Sequence, residues 1–278
     1  MTQKKHNSFV RHILVIIGGF LMTYPLIWLF FSTFKTNDEI FATARLLPER
    51  FTLEGYIAGW QSTGSFTFTT YFINTFRMVI PMVILSMVSS TIVAYGFARF
   101  KFIGKRFLFG LMLATMMLPG SVMLIPRYIM FRDLGWLDTY LPLIVPTAFG
   151  TPFFIFLLIQ FFRGIPRELD ESATIDGCNS IRLLLEIILP LSKPALFSVG
   201  LFQFMWSWNE FLLPFIYISS VRLYPLALGL RLTIDTTTAI NWNNILAMAM
   251  VSMVPLIVLF FFAQKYFVEG IATTGIKG

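Results

Sequence analysis

Glu171-Ser172-Ala173-Thr174-Ile175-Asp176-Gly177, followed after nine intervening residues by Ile187-Ile188-Leu189-Pro190, is a patterned polar stretch between two long apolar runs. Arg163 closes the run before it and Lys193 opens the run after it, leaving about 30 residues for water. Pro166 pre-sets the backbone angle of a first helical turn, and Glu168, Asp170 and Glu171 complement the positive end of the helix dipole. Gly177 can adopt the left-handed conformation that stops such a helix. Asn179 or Ser180 can cap a second helix, which runs through Leu183, Leu184, Leu185, Ile187 and Ile188 to Pro190. A free helix of about ten residues is marginal in water and needs a surface to lean on. Leu169, Ala173 and Ile175 are the expected apolar contacts of a helix-in-groove fit, with the acids orienting it. The alternative is an amphipathic helix lying along the lipid headgroups.

Composition sets the solvent. Of 278 residues, 56% are hydrophobic and 13% charged, with 32 Phe and 14 Met. A soluble domain carries about 25% charged residues, so lipid is the expected surroundings and the class is an all-α integral membrane protein. The net charge of +7 sits in short polar segments between apolar runs and not on a basic, aromatic-interleaved face, which argues against nucleic acid. The single cysteine, Cys178, excludes an internal disulfide, and His6 and His12 stand far from other ligating residues, so no metal site is expected. A phosphate-binding loop is absent, since Gly104-Lys105 is followed by Arg106, and no nucleophile triad is present. The expected activity is therefore not enzymatic.

A helix needs roughly 20 apolar residues to cross a bilayer. Six runs qualify, at about 13–34, 75–98, 107–128, 139–162, 194–219 and 245–264, forming one membrane domain over 1–278 with the polar segment at 166–190. The first run, with Ala42-Thr43-Ala44 after it, has the outline of a secretory leader. Its 22 uncharged residues from Ile13 to Phe34 are too long for a leader core, so it is expected to stay as an anchor. With the N-terminus inside, thirteen Lys and Arg fall on the cytoplasmic side and eight on the other. Lys4, Lys5, Lys265 and Lys277 contribute, but Arg99, Lys101, Lys105 and Arg106 in one turn decide the matter. Both termini and the 166–190 segment are then cytoplasmic. Segments 35–70 and 219–244 form larger outer loops carrying Phe51, Tyr56, Trp60, Tyr224, Pro225 and Trp242, either as a docking face or as a cap over helix ends.

Prolines 25, 81, 119, 142, 146, 152, 214 and 255 fall inside the runs, where each removes a backbone hydrogen bond and favours a kink. Glu210 is the one acid deep in a run, roughly 24 Å along a helix from Pro194. With Asn209, Trp206 and Trp208 it is expected to line a path or gate; a structural polar clamp is the competing reading.

The 171–190 stretch resembles the E-A-A-x3-G-x9-I-x-L-P motif of ABC importer permeases, with Ser172 at the second position and the other consensus positions filled. Ala94-Tyr95-Gly96-Phe97-Ala98-Arg99-Phe100, Met117-Leu118-Pro119-Gly120, Leu137-Asp138-Thr139-Tyr140, Trp208-Asn209-Glu210-Phe211 and the tail from Phe267-Val268-Glu269-Gly270 to Lys277-Gly278 resemble the carbohydrate-uptake class, specifically the smaller maltose-transporter permease family. The resemblance implies a type I importer fold of six spans with a cytoplasmic coupling helix. It assigns ATPase coupling to Glu171, Ser172, Ala173, Asp176, Gly177, Ile187, Leu189 and Pro190. It also implies a homologous permease partner, two ATP-binding subunits that carry ATP and Mg, an extracytoplasmic solute-binding protein, and a sugar or oligosaccharide substrate at the bacterial inner membrane. No cofactor is expected on this chain. A polyol or glycerol phosphate importer, and an ATPase-independent secondary transporter or channel, are the alternatives.

Overall fold

The computed structural model describes the backbone of residues 2–42, 45–61, 66–235 and 240–274, and side chains within 11–42, 45–61, 66–234 and 240–264. The side chains of Lys4, Lys5, His6 and Lys265, residues Thr43 and Ala44, and the tail side chains from Phe267 to Gly278 lie outside the described set.

The described chain is helical, without strands. It opens with α1 (Thr2–Ser32), α2 (Asn37–Ala42), α3 (Glu54–Gln61), α4 (Phe68–Arg99), α5 (Lys105–Met117) and α6 (Leu124–Asp133). Helix α7 (Leu141–Ile144) tightens into a 3-10 turn at Val145–Phe149 and is followed by α8 (Pro152–Gly164) and α9 (Glu168–Ile175). Helix α10 (Ser180–Leu183) widens into a π turn at Leu184–Ile188 and ends as α11 (Leu189–Leu191). Then come α12 (Lys193–Asn209), α13 (Leu212–Tyr217), α14 (Leu226–Asp235) and α15 (Trp242–Thr274).

Among the described residues, four stretches are long and apolar enough to cross a membrane: Arg11–Ser32, Phe68–Arg99, Leu141–Gly164 and Trp242–Gln264. Ser180–Leu191 and Lys193–Asn209, which meet at 80°, make a fifth if read as one broken span. The expected run at 107–128 is not one helix. Pro119 has no N–H to donate and pushes Leu118 to an extended conformation (φ −75°, ψ 121°), so α5 ends at Met117 and a turn precedes α6. The run at 194–219 also breaks, at Glu210, whose ψ of 120° separates α12 from α13. Pro25, Pro81 and Pro255 instead sit inside continuous helices.

The chain packs as two compact units, Met1–Thr69 with Gly229–Val254, and Thr70–Leu228 with Pro255–Gly278. In the first, Tyr56 OH meets Thr33 Oγ1 at 2.9 Å and its ring packs on Phe34, tying α3 to the end of α1. Gly55 and Gly59 lie one turn apart on α3, both buried.

Among the described residues of the second unit, a continuous apolar cluster joins Ala94, Tyr95 and Ala98 of α4 with Phe154, Leu158, Ile159 and Phe162 of α8, Ala173 of α9, Ile188, and Ala195 and Val199 of α12. Serines on α4 secure the break before α8: Ser86 Oγ pairs with Thr151 Oγ1 at 3.0 Å, Ser89 Oγ donates to the Thr147 carbonyl at 3.0 Å, and Ser90 Oγ accepts the Thr151 N–H at 3.1 Å. Gly150, at φ 86°, makes that break possible. Near the start of α4, Asn74 Nδ2 donates to the carbonyls of Arg222 and Tyr224, and Thr75 Oγ1 accepts the Leu226 N–H.

Candidate functional site

Helix α9 begins with Glu168, Asp170 and Glu171 in its first turn, which suits the dipole. Its end is a Schellman motif. The Cys178 N–H donates to the Ala173 carbonyl at 2.9 Å and the Gly177 N–H to the Thr174 carbonyl at 3.1 Å, with Gly177 left-handed at φ 82°. Asn179 then caps α10, its Oδ1 accepting the Arg182 N–H at 2.9 Å. Pro190 cannot donate back along the helix. The turn before it opens to a π turn in which the Leu189 N–H reaches the Leu184 carbonyl. Ser192 is the elbow between this helix and α12, and Pro194 stands in the first turn of α12.

The two faces of α9 differ. Ala173 is 3% exposed and belongs to the core of its own bundle, so the expectation that it makes an outward apolar contact is corrected: a helix this short takes its tertiary support from α4 and α8 through its small residue. Outward stand Leu169, Glu171, Ser172, Asp176 and Ile175, which is 86% exposed. Ile187 and Leu189 are half-buried, and Pro190 is exposed.

Arg99 and Tyr95 fix this hairpin to α4. The Arg99 Nη1 and Nη2 atoms both donate to the Ile165 carbonyl at 3.2 Å, and Nε lies 3.0 Å from Asp170 Oδ2. Tyr95 OH donates to the Ser180 carbonyl at 2.9 Å. Neither link was legible beforehand: Arg99 read as a topology charge and as part of the 94–100 passage, and its partners lie more than 60 residues away.

A cavity of about 200 Å³ inside the second unit is lined by Trp206 and Glu210 together with Arg127, Thr147, Gln203 and Ser207. Trp206 stacks on Phe154 at 5.0 Å, and Gln203 Nε2 donates to Ser207 Oγ at 2.7 Å. Glu210 Oε1 also accepts the Leu213 N–H at 3.1 Å, so it caps the start of α13 while facing the cavity. Of the four residues expected on a path, only these two line it. Trp208 is buried against Phe72, Phe76 and Phe204, and Asn209 turns back to the Met205 carbonyl. Gln203 and Ser207 were missed; their signal is the i, i+3, i+4, i+7 spacing of Gln203, Trp206, Ser207 and Glu210 on one helix face.

Residues 89–273 match the family of binding-protein-dependent transport system inner membrane components. The chain is 36% identical to a probable ABC transporter permease, YurM of Bacillus subtilis, over 92% of this chain and 84% of that one. It is 32% identical to the arabinooligosaccharides transport system permease AraQ of Halalkalibacterium halodurans, over 99% and 100%. It is also 32% identical to the trehalose/maltose transport system permease MalG of Thermococcus litoralis, over 98% and 99%. Among solved structures, a chain of a bacterial ABC transporter involved in import of the acidic polysaccharide alginate shares the fold, with a TM-score of 0.84, 22% identity, and coverage of 96% of this chain and 98% of that one.

Proposed function

Because this chain belongs to the family of inner membrane components of binding-protein-dependent transport systems, we propose that it is the permease subunit of an ATP-driven importer for sugars or oligosaccharides. The names of its relatives, which include arabinooligosaccharide, trehalose/maltose and diacetylchitobiose systems, support that substrate class. A glycerol phosphate permease at 28% identity keeps a phosphorylated polyol within the alternatives.

In this reading the two compact units act as one membrane domain of six spans, with α5 and the turn before α6 as a broken third span and α12 with α13 as a broken fifth. Both termini and α9 face the cytoplasm, as the basic turn Arg99–Arg106 favours. A second permease completes the path, two ATPase subunits bind ATP and Mg, and an outer binding protein delivers the solute. This chain itself binds no cofactor.

The observation that carries the reading is the division of α9 into an outward face of Glu171, Ser172 and Ile175 and an inward Ala173 set in the core that joins α4, α8 and α12. A subunit that grips the outward face moves the helices joined to the inward one. Side chains of the Trp206–Glu210 cavity meet the solute on the way through. The test is reconstitution of the whole assembly with Glu171→Ala: ATP hydrolysis stimulated by the binding protein should separate from uptake. Unchanged uptake and stimulation, or uptake by this chain with no ATPase present, would refute the reading.

A further inference from the structure

In the first unit, Thr36, Asn37, Glu54, Asn241, Asn243 and Asn244 line a cavity of about 170 Å³ between the starts of α2, α3 and α15. It is a built space. A Cβ at Gly55 would come within 2.8 Å of the Asn243 carbonyl oxygen, and one at Gly59 within 3.1 Å of the Asn244 carbonyl oxygen, so only glycine lets α3 rest directly on the start of α15. Asn37 Oδ1 accepts the Trp242 N–H at 2.7 Å, and Asn243 Oδ1 accepts the Asn244 N–H at 2.9 Å.

Asn243 and Asn244 are 7% and 5% exposed. Among the described residues, Nδ2 of Asn243, both polar side-chain atoms of Asn244, and the side-chain polar atoms of Asn241 and Glu54 have no protein hydrogen-bond partner. None of these atoms is sealed from space. Polar atoms open to the cavity in this way can exchange water for a ligand that has hydrogen bonds to give and take.

The donor set narrows what that is. Each free amide offers two donors and an acceptor, matching hydroxyl groups that are donor and acceptor at once. A metal ion would need more carboxylates than Glu54 alone, and no such acidic or His/Cys group occurs among the described residues. An anion would meet Glu54 with no cation on the wall. At about 170 Å³ the cavity is commensurate with one small ring or open polyol. Ala58 is the apolar residue on the wall.

We propose that this cavity binds a neutral polyhydroxylated solute, one monosaccharide ring or polyol at a time, at a site separate from the Trp206–Glu210 cavity. It rests on the proposed function only for the source of that solute. The test uses the full transporter assembly in nanodiscs, without binding protein or ATP, probed with glucose, sorbitol and glycerol by saturation-transfer NMR and by hydrogen exchange over residues 240–246. The expected result is saturation transfer to a probe and slowed exchange of that segment. Asn244→Asp, which keeps the shape, should weaken binding about three- to tenfold, and exposed Glu54→Gln should weaken it less. No transfer to any of the three probes overturns the site, as does binding that both variants leave unchanged. Protection by calcium chloride and not by the probes also overturns it. Sugar-dependent protection in an assembly that shows no ATP-driven uptake leaves this site standing while removing the proposed function; uptake without such protection does the reverse.

Discussion

Arg99, the last residue of α4, holds Asp170 in the first turn of α9: Nε lies 3.0 Å from Oδ2, with the two side chains 5% and 19% exposed. The contact is an ion pair more than a hydrogen bond. Nε and Asp170 Oδ1 have no hydrogen-bond partner among the described residues, while Nη1 and Nη2 are committed to the Ile165 carbonyl. A pair in this setting contributes little against an apolar replacement, yet losing one partner strands a buried charge. Arg99→Met and Asp170→Leu are each expected to destabilise the assembly by about 3 kcal/mol. The double variant should recover much of that, with a coupling of about 1–3 kcal/mol in a double-mutant cycle of unfolding. Strictly additive losses would show that the two residues do not act as one strut.

Gly177 separates backbone strain from crowding. A Cβ there would meet nothing within 4 Å, but φ is 82°. Gly177→Ala should therefore cost about 1–2 kcal/mol through conformation alone, and Gly177→Asn clearly less, because Asn tolerates the left-handed region. Uptake by the assembled transporter should fall in the same order. Equal effects of Ala and Asn would mean that the glycine is needed for close approach of a partner and not for its turn.

Ala173 and Ile175 predict opposite failures on one helix. Ala173→Leu forces extra methylenes into the core joining α4, α8 and α12 and should cost about 1–3 kcal/mol of stability. Ile175→Asp changes an exposed side chain and should leave the unfolding midpoint within experimental scatter while reducing ATPase stimulation and uptake. A marked loss of stability in Ile175→Asp would remove Ile175 from the docking face.

How far the sequence carried this picture depends on whether the deciding interaction is local. The stop at Gly177, the cap at Asn179 and the acidic first turn of α9 are set by residues within one or two turns, and each was readable, the cap as a choice between Asn179 and Ser180. Pro119 was read as a kink inside one run and as part of the 117–120 passage, whereas with Gly120 beside it and an extended Leu118 it divides α5 from α6. Apolar composition could not distinguish that break from the continuous helix around Pro81, because tertiary packing decides which proline is tolerated. Trp208 and Asn209 share the motif of Trp206 and Glu210, but helical rotation turns them onto other faces. Asn241, Asn243 and Asn244 drew no notice, since their chemistry emerges only where the start of α15 meets α2 and α3.

Asp138 gives a pH-dependent prediction. Its carboxylate accepts the Ser220 hydroxyl, the Ser220 N–H at 2.7 Å and the Ser219 N–H at 3.0 Å, fastening the loop before α7 to the one after α13. The Ser220 hydroxyl bond and then the Ser220 backbone bond hold its pKa below the usual carboxylate value. A depressed folded pKa means the stabilisation is present above the unfolded value, near 3.8, and is lost as pH falls through the lower folded value. Asp138 stands at φ 59°, which Asn also tolerates, so Asp138→Asn removes the charge without adding backbone strain. The wild-type protein should exceed Asp138→Asn by about 1 kcal/mol at neutral pH, allowing for solvent screening. That difference should hold down to about pH 5 and shrink steadily below pH 4 in thermal or chemical unfolding of the assembly. A difference that persists unchanged into strong acid, or that closes above pH 5, would place the clamp's stabilisation elsewhere than in the ionised carboxylate.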